Sequence, residues 1–278
     1  MLKLIQIELF KLAKHPRTFI GFGAVVFIVL AFQTMMYFKG EDLSNMLLSN
    51  LQSAFEFTGN IINANILTYV TLNALIIHIP ILICLVTGDL ISGEASSGTI
   101  RLLLQKPYSR TRIYVAKVIT AVIYTLMLLA VMGLLSFSLG YLLFGNGDML
   151  VVSDNIVVID ASDTAWRFAG AFLMGALAML VVMSLSILLS AYSSNSIVPI
   201  VGTIAIIIVL NVLSVLGYSL FKDIIPYLFT NHFNKWQLFF SYELKTTEII
   251  KSIAIQLSYV AVFLTAGYVH FKNKDILN

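Results

Sequence analysis

The side chains able to do chemistry are few, and their spacing excludes more than it supports. Gly88 and Gly93 stand as far apart as the two glycines of a phosphate-binding loop, but Glu94 occupies the place where such a loop needs Lys followed by Ser or Thr. The chain does not cradle a nucleotide that way. The histidines, His15, His78, His232 and His270, are scattered and form no His-Glu-x-x-His pair. Cys84 is the one cysteine and lies in an apolar run, so an internal disulfide is impossible and zinc-ligand spacing is absent. Asp148, Asp154, Asp160 and Asp163 fall too irregularly for a calcium loop and are expected to form a solvated acidic loop. His78 alone lies deep in an apolar run, where it is expected to be a hydrogen-bonded packing residue with Asn73 as its neighbour.

The elements that hold these residues are set by hydropathy. With 59% hydrophobic residues, 11% charged and a mean hydropathy of +0.93, the 278-residue chain exceeds what a soluble domain carries and is expected to be a single polytopic membrane domain. Its apolar runs are 19–38, 66–87, 118–144, 168–192, 197–221 and 252–271. Each is long enough to cross a hydrocarbon core of ~30 Å. None contains Asp, Glu, Lys or Arg, which argues against ion-coupled carriers and intramembrane metalloproteases. Pro80 and Pro199 are candidate helix breakers. With the N-terminus inside, 11 Lys/Arg fall on the cytoplasmic side and 6 outside, so both termini are expected in the cytosol, with the chain in the cell membrane. The net charge of +3 lies in loops beside the membrane, which points to lipid rather than nucleic acid as the partner.

Residues 1–16 read as an interfacial helix, with Leu2, Ile5, Leu9, Leu12 and Ala13 on one arc and Lys3, Lys11 and Lys14 opposite; Pro16 makes an elbow before the first span. A cleaved signal peptide is disfavoured, because the run that follows is 20 residues long and lacks a small-residue cleavage site. Residues 39–65 carry Leu43, Met46, Leu47, Leu51, Ala54 and Phe55 at helical spacing, an expected amphipathic helix on the outer surface. Residues 145–167 read as a small strand-like excursion. The outer segment 222–251 is rich in aromatic residues, Trp236 and Phe240 among them, and either anchors at the interface or re-enters the membrane.

The polar, basic stretch from Gly88 to Lys117 is an interruption between two long apolar runs. Gly93 and Gly98 are expected to loosen the backbone around Glu94, and Thr99 to Gln105 to form a short helix with Ile100, Leu103 and Leu104 on one face. Pro107 ends that helix, and Ser109 is a candidate N-cap for the next. The pattern Asp89-x-x-x-Gly93-Glu94, Gly98-Thr99-Ile100-Arg101, Leu103-Leu104, Pro107-x-Ser109-Arg110 and Lys117 resembles the cytoplasmic signature of permease subunits of ABC-2 type ABC transporters. The resemblance extends to the N-terminal helix, the six spans and the aromatic loop before the last span.

That resemblance implies an all-α fold with six transmembrane helices, an interfacial elbow helix and a cytosolic coupling helix between spans 2 and 3. It implies no enzyme activity and no cofactor in this chain, with ATP and magnesium on two copies of a separate ATP-binding subunit. A second permease chain, identical or related, would complete the pathway, and export is the direction favoured. By resemblance, Glu94, Gly98, Thr99, Arg101, Pro107, Ser109 and Arg110 would belong to the surface that docks on the ATPase. Glu94 and Arg101 lie outside the apolar runs, so both are expected to be dispensable for helix packing. A stand-alone ion-coupled carrier or channel and a membrane anchor or assembly factor remain as alternatives. The substrate is not legible.

Overall fold

Backbone in hydrocarbon has no water to bond, so long apolar runs must close their hydrogen bonds internally as helices. The computed structural model follows this rule and describes residues 1–52, 62–105, 107–152 and 156–274. The elements are α1 (Leu2–Lys14), α2 (Pro16–Gln52), α3 (Ala64–Leu75), α4 (His78–Thr87), α5 (Asp89–Ser96), α6 (Thr99–Leu104), α7 (Arg110–Phe144), β1 (Met149–Val152), β2 (Ile156–Ile159), α8 (Thr164–Tyr192), α9 (Ile197–Leu216), α10 (Tyr218–Phe221) and α11 (Thr246–Asn273). Short 3-10 turns at Ile225–Tyr227, Phe229–His232 and Lys235–Phe240 lie between α10 and α11. Among the described residues, six helical segments are long and apolar enough to cross a membrane: Pro16–Gly40, His78–Ser96, Arg110–Phe144, Ala161–Tyr192, Ile197–Leu216 and Thr246–Asn273. The chain is a helical, multi-pass membrane protein.

The run read as one span over 66–87 is two helices. Pro80 has no N–H for the Ile76 carbonyl and its ring crowds that position, so α3 ends at Leu75 and α4 begins at His78. Pro199 breaks nothing, because it sits in the first turn of α9, where its missing N–H would be unsatisfied in any case. His78 is exposed at the break and bonds the Ala74 carbonyl at 2.8 Å, not Asn73. Asn73 instead donates to the Tyr69 carbonyl and accepts from Gln237 Nε2 at 2.6 Å. Asn63 caps α3 by accepting from the amides of Asn65 and Ile66. In the stretch expected to be a separate surface helix, α2 continues unbroken to Gln52; residues 53–61 lie outside the described residues.

α8 runs through the middle of the bundle, against α4, α7, α9 and α11. Val182 and Ile187 of α8 share the main core with Val25 and Val29 of α2, Ile83 and Cys84 of α4, and Ala121 and Leu128 of α7. Two buried hydroxyls there, Thr87 and Thr125, donate to the carbonyls of Ile83 and Ala121 one turn back, while Gln33 of α2 donates to the Ser136 carbonyl of α7 at 2.8 Å. β1 and β2 pair antiparallel with Met149 opposite Ile159, the strand-like excursion expected over 145–167. Their inward side chains pack on Phe168, Trp236 and Phe240 in a second, smaller core. Asp154 lies outside the described residues. The bundle thus has two ends, one carrying the hairpin and the other carrying α1, α5 and α6.

Candidate functional site

At the α1 end, α5 is fixed to the bundle by its neighbour. A helix start leaves amides without partners, and those of Ile91 and Ser92 bond to Ser190 Oγ of α8 at 3.2 and 3.0 Å, while Ser190 Oγ donates to the Gly88 carbonyl at 2.6 Å. Gly93 does not loosen the backbone as expected. It lies inside α5, and its missing side chain leaves room for the Asp89 carboxylate, which a Cβ would strike. Asp89 in turn holds Arg17 Nη1 at 2.7 Å and His15 Nε2 at 3.4 Å. Gly98 does fulfil its expectation: at φ 72° it takes the left-handed conformation that favours glycine and turns the chain into α6.

Glu94 is the residue whose expected role changes most. Its carboxylate lies 2.8 Å from Lys11 Nζ of α1 and 2.8 Å from Lys117 Nζ of α7. Lys117 is fully buried, and its ammonium also reaches Glu8 Oε2 at 2.9 Å and the Leu90 carbonyl at 2.7 Å. Lys11 closes the ring on Glu8 Oε1 at 2.7 Å. Two carboxylates and two ammonium groups therefore neutralise one another, which is the arrangement that makes buried charge tolerable. Burial alone would lower the Lys11 ammonium, but hydrogen bonds and charge from Glu8 and Glu94 outweigh it and raise its pKa above the ordinary lysine value. The ring ties α1, α5 and α7 together, so Glu94 is not dispensable for packing. Lys117, one of the positive loop charges in the sequence reading, is interior.

This ring also sets which face of α1 packs inward. Leu4, Glu8 and Leu12 are buried, one turn apart, while Leu2 is 77% exposed and Phe10 is exposed as well. The sequence placed Leu2 on the apolar arc and passed over Glu8. A carboxylate in register with Leu4 and Leu12 was the available signal, and it calls for a buried cation.

The other expected residues divide in two. Thr99 opens α6, its hydroxyl 2.9 Å from Ser97 Oγ, while Ile100 of α6 is buried and Leu102 is 63% exposed. Arg101 lies on α6. Ser109 caps α7 as expected, accepting from the Arg112 amide at 3.3 Å, after the exposed Pro107. Arg110 turns toward its own chain and donates from Nη1 to the Lys272 and Lys274 carbonyls at the end of α11, at 2.9 and 2.6 Å. Arg112 stays exposed. A cleft of about 520 Å³ opens between α1, α5 and the turn before α9, with Glu8, Lys11, Arg17, Asp89, Glu94 and Ser196 on its walls. No cluster of His, Cys, Asp or Glu with metal-holding geometry occurs among the described residues.

A bundle of apolar helices with a charged, closely tied assembly at one end defines a multi-pass membrane protein. The chain belongs to the family described as "Protein of unknown function (DUF2705)", which matches residues 26–277. It is also similar to "Uncharacterized protein YhcI" of Bacillus subtilis (strain 168), 28% identical over 116 residues, covering 40% of this chain and 37% of that protein. The chain thus matches well under half the length of this curated relative.

Proposed function

We propose that this chain is the permease subunit of an ATP-driven, ABC-2 type transporter. It contributes half of a membrane pathway and takes its energy from two copies of a separate ATP-binding subunit that carries ATP and magnesium; export is the favoured direction. The supporting observation is the α5–α6 unit at the mouth of the bundle. It is tied through Glu94 to both α1 and α7, yet it leaves Leu102, Ser97 and Thr99 on the surface. A partner pressing on α6 would move α5, and the charge ring would carry that displacement into α1 and α7. Such coupling requires two packed arrangements rather than a continuous deformation.

The test is partner capture. The Arg101→Ala variant is expected to lose copurification of the ATP-binding subunit or to leave its hydrolysis uncoupled from transport, with the unfolding midpoint of the permease unchanged. Loss of an interfacial charge-assisted contact costs roughly 2–5 kcal/mol, large enough to see by copurification. A chain that transports alone, with no ATPase bound, overturns the reading. One observation favours that second reading: the helices as folded do contain charge, including buried Lys117, which the apolar runs did not. Against it stands the full pairing of that charge with Glu8 and Glu94, which leaves Lys117 no free partner to exchange.

A further inference from the structure

At the hairpin end, two clefts adjoin between α4, α9 and the turns that precede α11. The first, about 420 Å³, is apolar and walled by Ile77, Pro80 and Ile81 of α4, Ile204 and Ile208 of α9, and Phe233. The second, about 810 Å³, carries Lys222, Lys235 and Lys245 on its wall and no carboxylate among the described residues. Asn211, Thr230 and Asn234 line both and form a polar seam.

The seam has unused capacity. Thr230 is 4% exposed, yet its hydroxyl has no hydrogen-bond partner among the described residues, an arrangement proteins avoid unless something else supplies the bond. Asn211 stands exposed in the C-terminal third of α9, between Leu210 and Val212; one amide hydrogen is held by the Ile207 carbonyl at 2.9 Å, and that bond leaves the second unused. A carboxamide facing hydrocarbon is unfavourable, and a polar ligand group beside it removes the penalty. Of the three lysines, Lys235 meets Glu248 in an exposed pair at 3.2 Å, so the polar cleft keeps a positive balance.

We propose that this double cleft binds a single-chain anionic amphiphile. Its alkyl chain lies between α4 and α9, where the stretch from Ile204 to the seam at Asn211 spans about 10 Å at ~1.5 Å per residue, with Ile204, Ile207 and Ile208 on the wall. Its phosphate-like head sits among Lys222, Lys235 and Lys245, with Thr230 and Asn211 donating at the seam. A zwitterionic head gains less from three lysines, and an inorganic anion leaves the apolar wall unfilled. Naming this ligand as cargo rests on the permease reading; the site itself does not.

Binding is measured on the purified full-length chain without any ATPase, using tetradecyl phosphate, tetradecylphosphocholine and inorganic phosphate as probes. Tetradecyl phosphate is expected to bind one per chain, the phosphocholine clearly more weakly and inorganic phosphate not at all. Replacing Lys222, Lys235 and Lys245 together by Gln should weaken the alkyl phosphate roughly 5- to 100-fold. Ile208→Trp should fill the apolar wall and abolish binding. The lysine substitutions alter side chains on the cleft wall outside the main core, so they decide the matter even if Ile208→Trp misfolds. Equal affinity for the phosphocholine, full retention by the triple variant, or equal binding of free phosphate would each overturn the site. Binding intact with ATPase coupling absent would instead remove the permease reading and leave the site standing.

Discussion

Lys117 shows how far a single side chain can depend on its surroundings. Its ammonium is fully buried, with Glu8, Glu94 and the Leu90 carbonyl around it. Breaking a buried ion pair by removing one partner costs roughly 3–5 kcal/mol, because the other charge is left without compensation. Lys117→Met should therefore lower the thermal unfolding midpoint of the detergent-solubilised protein sharply, since Glu8 and Glu94 are left with Lys11 alone. Glu94→Ala should be milder, because Lys117 keeps Glu8 and Leu90. Combining Glu8→Gln with Lys117→Met should recover part of the loss, as both members of a pair are then neutral. A Lys117→Met variant as stable as the parent would show that the ring contributes nothing. The raised Lys11 pKa adds a sign: its contribution is complete below the ordinary lysine value of 10.5 and is lost only as pH rises through the higher folded value.

Among the elements, the turns between α10 and α11 hold a pH-sensitive docking. His232 is buried, with Nε2 3.0 Å from the Pro226 carbonyl and Nδ1 2.8 Å from Ser252 Oγ, to which Gln256 donates at 3.1 Å. Neutral imidazole satisfies this chain with one N–H on Pro226 and a lone pair toward Ser252. Burial lowers the His232 pKa, and the positive charges of Lys235 and Lys251 lower it further against the opposing bond to Pro226. A depressed histidine is neutral in the fold and takes up a proton on release, so docking is undiminished above the ordinary value of 6.5 and weakens as pH falls below it. Hydrogen exchange over 225–240, corrected for its intrinsic pH dependence, should accelerate between pH 7.5 and 5.5, and His232→Gln should flatten that response. An unchanged response in the variant would assign the effect elsewhere.

These elements also show what could be read in advance. Five of the spans were legible because unbroken apolar runs leave the backbone one economical state, whereas the second, expected at 66–87, is displaced to His78–Ser96 and takes in Asp89 and Glu94 of the expected loop; the cap at Ser109 and the turn at Gly98 were legible because each is a local requirement of geometry. The Pro80 break was legible only as a candidate, since most membrane prolines merely kink their helix. Glu8 with Lys117, 109 positions apart, was not legible, because pairing between α1 and α7 leaves no periodic trace in one chain. Counting loop lysines for topology treats each as solvated, and so hides a lysine that is interior.

For the molecule as a whole, everything proposed about coupling requires α5 and α6 to face the cytosol and the hairpin end to face outward. The distribution of basic residues, 11 against 6, carries that orientation, and its weight does not rest on any one side chain: moving Lys117 from loop to interior still leaves an excess on the same side. Ser97 is exposed beside α6, and Tyr242 is 81% exposed at the opposite end. The single native thiol, Cys84, is buried in the main core and should stay silent toward an impermeant reagent. In intact cells, Tyr242→Cys should label from outside, whereas Ser97→Cys should label only after the membrane is opened. Neither substitution touches a buried contact, so the stability should hold within about 0.5 kcal/mol. Labelling of Ser97→Cys in sealed cells would place α6 outside, beyond reach of any cytosolic ATPase, and the permease reading would fall with it. The lysine-lined cleft would then open toward the cytosol, a change of side that leaves its lysines and its apolar wall as they are.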